Sequence, residues 1–239
     1  MWKFIKMLIG IGLLPLCWAV STAIYALYQD SVSTAPTHPQ EIWALPIGFA
    51  VWVAIYFILP RPVRTYVLAH ELTHALWALM MGSRVGGMKV GKDGGHVELS
   101  RTNFLITLSP YFFPFYTVIV IAVYYLLSLS LDVEPYRIWW LAGVGLTWAF
   151  HVTFTISMLA EQQPDVQEHG RIFSYAVIYI ANLLVIGLWM VLVGTPQAAT
   201  FRDLLKDDTV AVYSYTWQYI QQGWEYTMVQ VQHLRAGDA

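Results

Sequence analysis

The stretch His70-Glu71-Leu72-Thr73-His74 holds the residues of this chain best suited to chemistry. On a helix, residues four apart share a face, so both imidazoles reach one ion at about 2.0 to 2.1 Å while the carboxylate stands beside them without binding it. The spacing fits zinc hydrolysis: two neutral imidazoles hold the metal, and the carboxylate takes a proton from the attacking water. With seven histidines and seven glutamates in 239 residues, chance produces the pattern in roughly 0.6% of such chains.

Two imidazoles do not complete a catalytic zinc site, which normally takes three protein ligands. The residues able to supply a third are His96, His151, Glu161, Asp165, Glu168 and His169. Asp165 sits in Glu161-Gln162-Gln163-Pro164-Asp165-Val166-Gln167-Glu168-His169-Gly170-Arg171. The bracketing proline and glycine suggest broken helix, which is tolerated at membrane depth only where it lines a protein cavity. His151 lies well inside an apolar run and reads equally as a ligand, a transition-state donor or a hydrogen-bonded core residue. Glu161, Glu168 and His169 read equally as solvated loop residues.

The elements that must position these groups are apolar. The composition is 57% hydrophobic and 12% charged, against about a quarter charged in soluble chains, which points to a membrane protein. Six runs approach the roughly 17 to 25 residues a bilayer core demands: Met7 to Tyr28, Trp43 to Pro60, Thr65 to Met81, Phe104 to Leu131, Ile138 to Ala160 and Ile172 to Gly194. Lipid offers no partner to a stray backbone group, and the runs do not alternate, so they are expected to be helices rather than barrel strands. The expectation is an all-α, multi-pass protein of about six transmembrane helices, in a bacterial cytoplasmic membrane or its equivalent.

The run after Lys3 and Lys6 is long and lacks a small-residue cleavage site, so it is expected to stay as a helix rather than leave as a signal peptide. Basic residues divide five against five between alternate loops, and orientation is not decided. A net charge of −2 offers no basic face for nucleic acid, and the single cysteine, Cys17, excludes a disulfide framework or a cysteine-built metal site. An ionisable residue at membrane depth costs about 2.5 to 3.5 kcal/mol. A helix carrying Glu71 and two imidazoles therefore argues for function over packing.

The chain resembles the site-2 protease family of intramembrane zinc metalloproteases. Three features carry the likeness: His70 to His74 within a membrane run; the segment Gly82 to Leu99 followed by Asn103-Phe-Leu-Ile-Thr-Leu-Ser-Pro110; and Pro164-Asp165 with Gly170-Arg171-Ile172. The resemblance implies one zinc per chain on His70, His74 and Asp165, Glu71 as general base, a membrane-associated β-hairpin after the motif helix, and a transmembrane protein as substrate. It covers roughly Val63 to Gly194. The family's Leu-Asp-Gly triplet is absent, since four residues separate Asp165 from Gly170, and His151 stands in reserve as third ligand. The organisation expected is two N-terminal helices over 1–62, a metalloprotease-like core over 63–194 and a C-terminal tail over 195–239.

The residues alone also suggest the hairpin, because Met88 to Val90 and His96 to Leu99 flank Gly91-Lys92-Asp93-Gly94-Gly95. Its edge suits an extended substrate added as a further strand. In the tail, Tyr213, Tyr215, Trp217, Tyr219, Trp224 and Tyr226 favour an interfacial helix. Two rivals to hydrolysis are an idle zinc-binding membrane adaptor and a proton or metal-ion pathway through His70, Glu71, His74, His151 and Asp165. Hydrolysis is favoured because a glutamate directly after the first histidine is where a base is needed, and a pathway has no such requirement.

Overall fold

The computed structural model describes residues 2–33, 39–91, 94–193 and 196–237; positions 34–38 of the polar stretch, Lys92 and Asp93 of the hairpin turn and Gly194 lie outside the described residues. The chain is mostly helical: α1 (Trp2–Ser33), α2 (Pro39–Ile58), α3 (Val63–Met80), α4 (Phe104–Leu108), α5 (Phe115–Ser128), α6 (Arg137–Leu159), α7 (Pro164–His169), α8 (Arg171–Val193) and α9 (Ala198–Gly237). Two strands, β1 (Val85–Val90) and β2 (Gly95–Leu99), form an antiparallel hairpin between α3 and α4.

The expectation of six spans is not supported. Among the described residues, three helices are long and apolar enough to cross a membrane: α1, α6 together with the 3-10 turn at Glu134, and α8. A fourth span exists only if α4 and α5, bent by 80° at the break between them, count as one. Among the described residues, α2 offers the shorter apolar stretch Trp43–Ile58. The helix α3 is 18 residues long, but Arg64, Thr65, His70, Glu71, Thr73 and His74 make it too polar for a span of ordinary composition.

Small residues bring the helices together. A Cβ at Gly10 of α1 would lie 2.7 Å from the Phe173 nitrogen of α8. The pair α2 and α6 is closed from both sides, since Gly48 leaves no room for a Cβ against the Ala142 carbonyl and Gly145 none against that of Leu45. Helix α3 lies against this pair through a cluster of Trp52, Tyr56, Tyr66, Val67, Phe150 and Phe154, with the Tyr66 and Phe154 rings stacked at 4.8 Å. That packing fixes which face of α3 remains for His70 and His74.

The run from Phe104 to Leu131 is not one helix. The Asn103 side chain caps α4 by accepting from the Leu105 and Ile106 amides at 2.9 and 3.0 Å. Pro110 then sits in the 3-10 turn Ser109–Tyr111, and Pro114 immediately precedes α5. Neither proline has an amide proton to continue a helix, so the chain turns there. The turn packs through Leu108, Tyr111 and Phe112 on Val166 of α7 and Ile178 of α8. This places the break beside the Pro164-Asp165 segment.

Candidate metal centre

Helix α3 carries His70 and His74 one turn apart, and their Nε2 atoms lie 3.2 Å from each other. The short helix α7 supplies the third donor. Pro164 opens it with φ already suited to a first turn, and Gly170, at φ +88°, closes it in a conformation other residues rarely adopt. The Asp165 Oδ2 oxygen is 3.5 Å from His70 Nε2 and 3.7 Å from His74 Nε2. The donors of His70, His74 and Asp165 all lie within 4.8 Å of one another, a grouping that can hold a metal ion.

The spacing passes a simple test of fit. Donors about 2.0 to 2.1 Å from a tetrahedral ion stand about 3.3 to 3.4 Å apart, and the three separations here are 3.2, 3.5 and 3.7 Å. The protonation pattern fits as well. His74 Nδ1 donates to the Ile106 carbonyl at 2.9 Å. A carbonyl only accepts, so the neutral ring carries its proton on Nδ1 and presents the Nε2 lone pair to the centre.

Around the donors lies a cavity of about 440 Å³, within the range of roughly 300 to 1,000 Å³ found for ligand sites. Glu71 lines it beside His70, His74 and Asp165, and apolar walls come from Val67, Val97, Ile106 and Met158. The hairpin closes directly over Glu71. A Cβ at Gly95 would stand 2.6 Å from Glu71 Oε1 and 2.7 Å from Val67 Cγ1, so only glycine lets the backbone approach this near. Of the two strands, β2 lines the cavity, through Gly95, His96, Val97 and Leu99.

The remaining residues singled out in the sequence lie elsewhere. His96 and Glu168 line the cavity but do not join the donor group. His151 is buried in α6, neighbours Asn182 and borders a separate small space that Tyr66 and His70 also line. Glu161 borders a second, polar cavity with Gln162, Gln167 and Arg171. His169 Nδ1 accepts from Lys6 Nζ of α1 at 2.5 Å.

Sequence reading misses the residues behind the donors. Tyr66 faces His70 Nδ1 at 3.4 Å, the Ile106 carbonyl takes the His74 proton, and the Tyr111 hydroxyl donates to Asp165 Oδ2 at 3.0 Å. Tyr66 precedes His70 by four and was open to the same helical spacing that pairs the histidines. A backbone carbonyl and a tyrosine in an apolar run carry no such signal. Comparison with protein-family models, with curated proteins and with solved structures gives no match.

Proposed function

We propose that the chain is a multi-pass membrane zinc metallopeptidase of site-2 protease type, cleaving membrane-protein substrates in or near the bilayer. The observation that carries the reading is the convergence of His70, His74 and Asp165 within 4.8 Å in a cavity that Glu71 also lines, on a chain whose helices α1, α6 and α8 can cross a membrane. His70, His74 and Asp165 would hold one zinc per chain. When bound, zinc supplies a Lewis acid that polarises the scissile carbonyl and acidifies the attacking water. Glu71 accepts the proton of that water and returns it to the departing amine. The hydrophobic cavity walls exclude bulk water, and the outer edge of β2 holds the substrate extended, as a bond within a helix is not open to attack.

Support for hydrolysis over an idle metal-binding adaptor or an ion pathway comes from the placement of Glu71. It is buried, with 6% of its surface exposed, shares the donors' cavity, and lies apart from the three-donor group. The test is Glu71→Gln in purified, zinc-loaded protein, with cleavage of a transmembrane peptide as the readout. Cleavage is expected to fall by about 10² to 10⁴ with zinc content unchanged. Wild-type turnover in the variant overturns the assignment of the base. A wild-type protein that binds zinc and cleaves no membrane peptide supports the adaptor, and ion flux that survives chelation supports the pathway.

A further inference from the structure

We propose, resting on the metal-centre reading above, that Tyr111 is a positioning residue for the centre: its hydroxyl pins Asp165 with Oδ2 turned inward, and the chain's hold on metal depends on it. The Asp165 side chain needs such a device. It belongs to a helix of six residues that ends at a glycine of positive φ, and the terminal torsion of a carboxylate has a broad energy profile. The Tyr111 hydroxyl donates at 3.0 Å to Oδ2, the same oxygen that stands 3.5 and 3.7 Å from the two imidazole nitrogens. A carboxylate oxygen has two lone pairs. One accepts from Tyr111, and the other faces the imidazoles.

Tyr111 is itself immobilised. It is 0% exposed, packs with Leu108, Phe112, Val166 and Ile178, and sets its ring edge-on to His70 at 5.4 Å. Its carbonyl accepts from Asn182 Nδ2 at 2.9 Å. The same short stretch supplies the Ile106 carbonyl to His74, so the partners behind two of the three donors come from Ile106–Tyr111 alone. Helix α4 and the proline-broken turn after it thus supply part of the outer shell of the centre, beside Tyr66 of α3, and outer partners of this kind govern metal affinity by about 10- to 100-fold.

The test is zinc affinity of the purified full chain by chelator competition, for wild type, Tyr111→Phe, Asp165→Ala and the double variant, with the melting temperature of metal-free protein measured alongside. Tyr111→Phe, which keeps the ring and its packing, is expected to bind zinc about 10- to 100-fold more weakly, with the metal-free protein still folded and its melting temperature lowered by at most a few degrees. In the Asp165→Ala background the same substitution is expected to cost nothing further, because its effect runs through that carboxylate. Wild-type affinity in Tyr111→Phe overturns the proposal, and so does an equal loss in both backgrounds, which assigns Tyr111 a purely structural role. His74→Ala separates this failure from that of the metal centre. If it retains zinc, the centre is wrong; if it loses zinc while Tyr111→Phe does not, only the role of Tyr111 is wrong.

Discussion

His74 and His151 are the same residue at the same depth, 9% and 7% exposed, each on a helix within the apolar body. Their ring nitrogens are treated differently. Nδ1 of His74 donates to a carbonyl, and its Nε2 faces His70 and Asp165. Nε2 of His151 has no partner among the described residues. The space beside it, about 10 Å³, is at the lower limit for one water. Burial therefore does not mark a ligand. What sets His74 apart as a candidate ligand is a fixed tautomer on one side and converging donors on the other.

The comparison breaks most sharply on metal content. His74→Ala removes a donor and is expected to weaken zinc binding by more than the roughly 10- to 100-fold that outer-shell partners are worth, with cleavage lost in proportion. His151→Ala is expected to keep the full complement of zinc. Elemental analysis of the two purified variants, each checked for monodisperse elution, reads both outcomes. Zinc lost from His151→Ala and kept in His74→Ala would invert the assignment.

Why only part of this was legible in the sequence follows from which interactions are local. His70 and His74 are paired by helix geometry alone, and the proline and glycine around Asp165 announce an interruption. That the interruption meets α3 depends on α8 and on the turn Ser109–Tyr111 packing between them, which no local rule encodes. Hydropathy averaged over Phe104 to Leu131 hides Pro110 and Pro114, although both residues are plain in the sequence and together turn the chain by 80°. The same averaging makes spans of the second and third runs; among the described residues the second offers only the shorter apolar stretch Trp43–Ile58, and α3 is too polar. The tail, whose aromatics favour an interfacial helix, is one helix of 40 residues whose Tyr213 hydroxyl donates to the Gly12 carbonyl of α1.

A finer test contrasts the hairpin's two strands, since β2 alone lines the cavity. Gly95→Ala drives a methyl to 2.6 Å from Glu71 Oε1, whereas a Cβ at Gly87 on β1 meets only the Glu98 side chain, at an ordinary 3.6 Å. Either the hairpin lifts or Glu71 turns aside, and a displaced catalytic group costs up to about a hundredfold in rate. Gly95→Ala is expected to cleave about tenfold more slowly or worse with zinc retained, and Gly87→Ala to cleave as wild type. Equal rates in the two variants would mean that Glu71 does not depend on how the hairpin lies over it.

The smallest effect belongs to His151 itself. Its buried Nε2 without a partner is a standing cost, in the range of about 1 to 3 kcal/mol for an unsatisfied polar group. Its other connection is to Asn182, whose amide nitrogen already donates to the carbonyls of Tyr111 and Ile178. His151→Leu removes the unpartnered nitrogen and gives up the Asn182 contact, two terms of similar size and opposite sign. Stability is therefore expected to stay within about 1 kcal/mol of wild type, with zinc content and cleavage unchanged. Thermal unfolding in detergent measures it. A loss of several kcal/mol would show that His151 is held by a network extending beyond Asn182, and a loss of zinc at intact stability would return it to the centre as a ligand.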